Sequence, residues 1–233
     1  MAKRILFLIT IFGLFAGSSL NAQEKQLKEW KPDKIKGTRF IPYPPYSGTP
    51  YFNEKFVIGE IELLDGTMIS NIGIRYSSFQ DELIYYNTDI TTQIVIDKIS
   101  LKGFSYTDET GIKRSFRRQY FDVYLHEERF FEVLSDGIIS LLAYRKVDLE
   151  TCDTSYSKLG LAYMPAYHYY AWSAGKGYTT LKMSRSSHLS KFDKPKQKIV
   201  KRLLRKNGIQ ILDEATFVQA WNLIMQNGLS INF

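Results

Sequence analysis

Hydrophobic and polar positions alternate with a period of two over the central part of the chain. In the first alternating run, Val57, Ile61 and Leu63 share one side, which is typical of a β-strand with one buried face. Asp65-Gly66 separates this run from the next, and Asp-Gly between two alternating runs is a strong β-hairpin signal. Ser135-Asp136-Gly137 has the same turn chemistry, so a second hairpin is predicted there.

Further strand-like runs follow at intervals of about ten residues, a spacing typical of all-β domains. They cover residues 68–76, 83–86, 93–96, 99–106, 113–125, 130–134, 138–147 and 179–183. Short strands separated by turns predict a mainly β fold, either an antiparallel β-sandwich or a partly open barrel. Residues 151–178 show no such regularity, and we predict an irregular segment there.

The pattern becomes helical near the C-terminus, where we predict two α-helices. Pro195 suits the first turn of one helix and Asn207-Gly208 its end. Asp213 suits the N-cap of the second helix and Asn227-Gly228 its end. The predicted apolar positions are Ile199, Leu203 and Leu204 in the first helix and Phe217, Ala220, Trp221 and Ile224 in the second. The last residues, 229–233, alternate and predict a short edge strand or a docking tail.

The N-terminus carries the signals of export. Lys3 and Arg4 precede an apolar run over residues 5–16, and Ala22 offers a small residue before Gln23. A membrane-spanning helix needs roughly 20 apolar residues, so a cleaved signal peptide is favoured over an uncut membrane anchor. The protein is then not transmembrane after removal of the signal, and its expected place is the periplasm, the outer-membrane surface or the medium.

These signals divide the chain into four parts. Residues 1–22 are the signal peptide, 23–54 a flexible leader and a Pro/Tyr-rich arm, 55–190 the antiparallel β domain with an aromatic loop at 163–172, and 191–233 a helical appendage. The prolines of the arm exclude a helix or a central strand, and we predict that the arm packs on its own domain.

The net charge of the chain indicates the charge of its binding partners but does not identify a partner. The formal net charge is +7, and it becomes +5 when Lys3 and Arg4 leave with the signal peptide. This excess favours anionic neighbours such as phosphate-bearing lipids or acidic polymers. Cys152 is the only cysteine, so an intramolecular disulfide is excluded and a small buried apolar role is favoured.

The most basic stretch is residues 191–206, with eight basic side chains against one acidic residue, Asp193. An amphipathic cationic helix of this kind can contact lipid phosphates, an acidic polymer or an acidic protein face. Export argues against nucleic acid as its partner. The favoured alternative is a solvated helix face whose leucines pack on the sheet. The candidate anionic-contact residues are Lys194, Lys198, Lys201, Arg202 and Arg205.

The aromatic loop at 163–172 is the best ligand-site candidate, because flat rings in a loop can bind a sugar or a protein. Its candidate residues are Tyr163, Tyr167, His168, Tyr169, Tyr170 and Trp172. The alternative, a loop that folds down and covers one end of the β domain, is favoured, because no alternating set of polar residues surrounds the aromatic side chains.

Signatures of catalysis and metal binding are missing from the sequence. No glycine-rich nucleotide motif and no GxSxG motif occurs, and no cofactor is predicted. His126, His168 and His188 do not share a metal-binding spacing, so no metal site is predicted. Three arginines at 114, 117 and 118 could bind a carboxylate or phosphate, although a solvated strand face is favoured.

Several short motifs together resemble those of a broad group of uncharacterised exported proteins of Bacteroidota, which have a β-rich domain and a helical C-terminus. The matching residues are 59–67, 74–76, 81–83, 130–137 and the helix start Asp213-Glu214 that follows the basic helix. The resemblance spans about residues 55–227 and implies an extracytoplasmic location and this architecture, but no functional residues.

From the sequence, we expect an exported envelope protein that acts as a non-enzymatic binding or scaffolding component, in contact with an anionic surface or a protein partner. The alternative is a glycan-active or other hydrolase with its site under the aromatic loop.

Overall fold

The computed structural model describes residues 35–123, 126–155, 157 and 159–233. The predicted signal peptide and the first part of the leader, residues 1–34, lie outside the described residues, as does the end of the strand predicted at 113–125. The described residues form one antiparallel sheet followed by helices.

The sheet has eleven strands, in the spatial order β1-β5-β4-β3-β2-β6-β7-β8-β9-β10-β11. They are β1 (Gly37–Arg39), β2 (Val57–Leu63), β3 (Met68–Ser77), β4 (Glu82–Asn87), β5 (Thr92–Ile96), β6 (Leu101–Thr107), β7 (Lys113–Phe121), β8 (Glu127–Ser135), β9 (Ser140–Thr151), β10 (Leu161–Ser173) and β11 (Gly177–Leu181). The helices of the described residues are a 3-10 turn (Lys98–Ser100), α1 (Arg185–Ser190), α2 (Lys194–Lys206) and α3 (Glu214–Gln226).

The first part of the sheet curls around an apolar core. Tyr76 on β3 and Phe130 on β8 are four inter-strand steps apart, which is about 19 Å in a flat sheet. Their rings nevertheless lie 6.1 Å apart, and the ring of Phe104 lies within 5.5 Å of both. A 3.1 Å hydrogen bond from the Val147 amide to the Ser78 carbonyl joins β9 to the turn after β3. The sheet therefore curls without closing, and the predicted fold class is confirmed.

The helices cover one face of the last strands. Leu141, Ala143, Ala171 and Leu181 are buried on this face. The side chains that pack against them are Val200 and Leu204 of α2 and Phe217, Ala220, Trp221 and Ile224 of α3. Among the described residues, no helix is long and apolar enough to cross a membrane.

The opposite face of the same strands carries a separate aromatic cluster. Phe121, Phe131, Tyr144 and Tyr170 are buried there, with Trp172 and Tyr178 half-buried at its border. Strands β9 and β10 therefore bury apolar side chains on both faces.

The prediction of an irregular segment at 151–178 with an aromatic loop at 163–172 is wrong from Leu161 onward. These residues form most of β10, which pairs with β9 from Leu161 opposite Thr151 to Trp172 opposite Ser140. Since both faces of β10 are buried near its end, the segment lacks the alternation of apolar and polar residues that identifies a half-buried strand.

Both predicted helices are present, and Leu204 of the first is buried as predicted, but the apolar position Ile199 was misassigned. Ile199 is 43% exposed, whereas Val200 is fully buried. The short helix α1 was not predicted. The final residues form a docked tail and no strand: Ile231 is buried, and the Asn232 amide donates to the Lys191 carbonyl at 2.7 Å.

The Pro/Tyr-rich arm lies against the sheet. The Tyr163 amide on β10 donates to the Ser47 carbonyl at 2.8 Å, and the Tyr163 hydroxyl donates to the Pro44 carbonyl at 3.1 Å. The hydroxyl of Tyr43, the residue before Pro44, lies 2.8 Å from the hydroxyl of Ser77 at the end of β3. The arm therefore connects β10 with the end of β3.

Candidate functional site

Helix α2 is held on the sheet by one narrow apolar side. The Asp193 side chain caps its N-terminus by accepting from the Lys196 amide at 2.9 Å, and Pro195 occupies its first turn. Val200 and Leu204, four residues apart, are buried in the helical core. The rest of the helix surface faces solvent or lies at its border.

The outward side of α2 is a cluster of cations without a carboxylate partner among the described residues. All five predicted anionic-contact residues are exposed, and so is Lys206. Their spacing of three, four and seven residues places them on one side of the helix. Within the described part of the chain, the only ion pair of this helix is Lys196 with Asp193 at 3.4 Å. We call Lys194, Lys198, Lys201, Arg202, Arg205 and Lys206 the cationic face.

Basic side chains elsewhere are arranged differently. Most of those on the strands, and Lys98 in the 3-10 turn, have a carboxylate oxygen within 4.0 Å of a side-chain nitrogen. The paired residues are Lys98, Lys102, Lys113, Arg114, Arg117, Arg118, Arg129, Arg145 and Lys146. The three arginines at 114, 117 and 118, which could have bound an external anion, thus have internal carboxylate partners. Among the described residues, the largest group of exposed basic side chains on one element without a carboxylate partner is therefore on α2.

The aromatic residues predicted as one ligand site do not form one surface. Tyr163 is buried under the arm, with its ring 5.7 Å from Tyr46. Tyr170 is buried in the aromatic cluster on the opposite face from the helices, and Trp172 lies half-buried beside it. His168 is exposed on that same side. Successive side chains of a strand point to opposite faces, and this divides the set.

Tyr167 and Tyr169 lie on the helix-covered face, next to a buried ion network. The Tyr167 ring is 39% exposed and has the Arg145 guanidinium 4.9 Å from its centroid. The Tyr169 hydroxyl donates to the Glu214 carboxylate at 2.8 Å. Arg145 donates two hydrogen bonds to the same carboxylate, at 2.7 and 2.8 Å, and also binds Glu132.

This network keeps the Glu214 carboxylate ionised. Burial tends to raise the pKa of Glu214, but the hydrogen bonds and positive charge of Arg145 outweigh it and place the pKa below the usual range. Glu132 also receives a 2.9 Å hydrogen bond from Arg114, which binds Asp108 at the same distance. A general acid needs a raised pKa and an open approach, whereas these carboxylates are bound to arginines. The arrangement connects the sheet to the start of α3.

Sequence reasoning missed this network because its members are distant in the chain. Glu214 follows Arg145 by 69 residues. A signal did exist: Glu132 and Arg145 interrupt otherwise apolar runs in β8 and β9. A charged residue in such a position is paired when buried, so the two strands pointed to a buried ion pair.

Two other polar side chains, Asp81 and Cys152, lie in surroundings typical of residues with a structural role. Asp81 is buried and accepts from the Tyr76 hydroxyl at 2.6 Å and from Lys98 Nζ at 2.7 Å. Cys152 is half-buried rather than fully buried. Within the described ranges, no three His, Cys, Asp or Glu side chains are grouped so that they could hold a metal ion.

The five predicted anionic-contact residues therefore share one side of α2, where Lys206 joins them, whereas the predicted aromatic residues are divided between two faces of the sheet. In comparisons with protein-family models, with curated proteins and with solved structures, nothing matched this chain.

Proposed function

We propose that this protein is an exported envelope protein that acts as a non-enzymatic binding component and contacts an anionic surface through α2. One observation carries the proposal: six exposed cations share one side of a helix and have no carboxylate partner in the described residues. Because Val200 and Leu204 fix this helix on the core, the charges are presented on a firm support.

The arrangement of the basic side chains on α2 and the net charge of the protein both favour binding to an anionic surface. A lysine or arginine near an anionic membrane surface contributes about 1 kcal/mol of binding free energy, so several on one helix give useful affinity without a pocket. The mature net charge of +5 adds attraction at longer range, which raises the rate of encounter with an anionic target.

The hydrolase alternative has less support. Its expected site was under a loop, and the residues in question form a strand. The carboxylates next to Tyr167 and Tyr169 are Glu132 and Glu214, and both are bound to Arg145. No observation in the described residues favours a catalytic acid or nucleophile at that place.

The test is salt-dependent binding of the mature chain, residues 23–233, to two anionic probes: immobilised heparin and anionic phospholipid vesicles. We expect a variant with Lys198→Gln, Lys201→Gln, Arg202→Gln and Arg205→Gln to lose roughly 4 kcal/mol of vesicle-binding free energy and to leave heparin at lower salt. The loss should shrink as salt rises, since screening weakens every contact.

A matched control removes the same charge elsewhere. Lys36, Arg39, Lys55 and Lys182 are exposed and have no ion pair in the described residues, so their combined change to glutamine lowers the net charge equally. Equal weakening by both variants would mean that the attraction is diffuse and would overturn the role of α2. A pull-down from the native envelope at low and high salt separates a protein partner from these probes, because it would identify a bound protein.

A further inference from the structure

The outward side of α2 also carries an apolar strip. Ile199 is 43% exposed although it stands between basic neighbours. Pro195, one turn before it, is exposed, and Leu203, one turn after it, is half-buried. Residues four apart lie above one another on a helix, so the three side chains form one strip along its axis. We call Pro195, Ile199 and Leu203 the apolar strip.

Basic side chains border this strip on both sides. From the helical angle of 100° per residue, Lys198 and Arg202 fall on one side of it and Lys196 on the other. Lysine and arginine extend long apolar stems before their charge, so their heads can reach phosphates while the stems cover a neighbouring apolar group. A single exposed isoleucine needs no explanation, but Ile199 lies directly beside the cationic face, about 20° beyond Lys206 at 100° per residue, and between it and the buried side of the helix.

We infer that the anionic surface bound by α2 is a lipid bilayer with anionic headgroups, and that the apolar strip enters its interfacial region while the cationic face binds the headgroup phosphates. This inference rests on the function proposed above and identifies its partner. An acidic polymer offers charge alone and gains nothing from Ile199. A bilayer offers both phosphates and an acyl boundary, the two environments that an interfacial helix with an apolar and a basic side requires.

The position of the strip limits the depth of insertion. Val200 and Leu204 remain in the protein core, so only the outer part of the helix is available to the bilayer. The predicted contact is therefore shallow and reversible.

The experiment compares Ile199→Ser with the parent protein on three probes: vesicles of phosphatidylcholine and phosphatidylglycerol in equal amounts, vesicles of phosphatidylcholine alone, and heparin. Burying the exposed part of an isoleucine should change vesicle affinity roughly fivefold. We expect this loss on the mixed vesicles and unchanged heparin binding, with little binding of either protein to phosphatidylcholine alone. Ile90→Ser, at an isoleucine 62% exposed in the turn after β4, is the matched control and should behave like the parent.

A second variant reports insertion directly. Ile199→Trp should bind the mixed vesicles more tightly, and its fluorescence should shift to the blue on binding, because tryptophan favours the membrane interface. The bilayer inference is overturned if Ile199→Ser weakens binding to mixed vesicles and to heparin by the same factor. It is also overturned if the variant weakens binding to neither probe. In both cases a purely electrostatic partner remains. Binding to heparin without binding to vesicles also overturns it but leaves the proposed function standing. Binding to none of the probes at low salt overturns both.

Discussion

At the scale of single residues, Arg145 lies where the two parts of the core meet. On the same face of the sheet, Phe130 belongs to the core of the curled part and Ala143 to the core under the helices. Arg145 is 2% exposed between them, bound to Glu132 and Glu214. An arginine at this depth is tolerated because both carboxylates satisfy its donors.

Replacing Arg145 by leucine should therefore cost about 3–5 kcal/mol of the free energy of unfolding, since it leaves buried carboxylates without their main partner. Urea denaturation of the mature chain measures this loss. Lys146→Leu is the control: Lys146 pairs with Asp148 at the surface, and such a pair contributes about 0–1 kcal/mol. Adding Glu132→Leu to the Arg145 variant should recover part of the loss. A loss under about 1 kcal/mol for Arg145→Leu would contradict the assignment.

His188 gives the protein a predictable pH dependence. Its ring is fully buried against Phe217, with 4.8 Å between centroids, and its Nε2 has no hydrogen-bond partner among the described residues. Burial lowers the pKa of His188, and the weak contact to the Ser184 carbonyl offsets this only in part. The unfolded chain therefore binds a proton at this residue more readily than the folded protein does.

Because the unfolded histidine has a pKa of about 6.5, the stability from neutral His188 is fully present above that pH and is lost as pH falls towards the lower folded pKa. We expect His188→Leu to reduce the fall in unfolding free energy between about pH 7.5 and about pH 5.5. His168→Gln, at an exposed histidine, should leave it unchanged. Parallel curves for the His188 variant and the parent would show that this histidine is not the responsible group.

At the scale of elements, the pattern predicted most of the strands, including β9, and missed the short edge strand β1 and the long strand β10. In β10, Tyr169 and Ala171 face the helices while Tyr170 and Trp172 face the aromatic cluster, so no period of two is visible. Pro165 also argued against a strand. It is tolerated because β11 pairs with β10 only after this point, which leaves one edge of the strand near Pro165 without a strand partner.

In the candidate site, too, one part could be predicted from the sequence and another could not. The ends of α2 and its cationic face were readable from Pro195, Asn207 and the basic residues. Its orientation was not, because Ile199 with Leu203 and Val200 with Leu204 are both four-residue pairs, 100° apart on the helix. Only the packing on the sheet decides which pair is buried, and this decision leaves Ile199 in solvent.

The arm depends on one glycine. Gly48 has a φ of +78°, and a Cβ built on it would lie 2.3 Å from the Tyr163 carbonyl oxygen. Gly48→Ala should therefore release the arm from β10, seen as faster hydrogen exchange of the Tyr163 amide and faster proteolysis near Lys55. Gly111→Ala is the control, with a φ of +82° and no atom within 4 Å of its added Cβ. It should cost only about 1 kcal/mol of backbone strain. Equal effects of the two variants would exclude the contact with Tyr163 as the cause.

At the scale of the whole molecule, the helices are part of the core that makes the last strands stable. Leu141, Ala171 and Leu181 present an apolar face that α2 and α3 cover. The opposite face of these strands is itself apolar and aromatic. Without the helices, the strands would expose one broad apolar surface, and surfaces of this kind promote aggregation.

Removing residues 184–233 should therefore yield a chain that aggregates or binds a hydrophobic dye, because the face formed by Ala143, Ala171 and Leu181 loses its cover. Size-exclusion chromatography and dye fluorescence, with the full mature chain measured in parallel, test this expectation. The full-length variant Leu204→Ala separates packing from length: it should lose about 2–5 kcal/mol of unfolding free energy. Lys201→Ala, on the outward side of the same helix, should change it by less than about 0.5 kcal/mol. A truncated chain that remains a monomer with the far-UV spectrum of an intact sheet would mean that the strands stand alone and the helices serve only to present the cationic face.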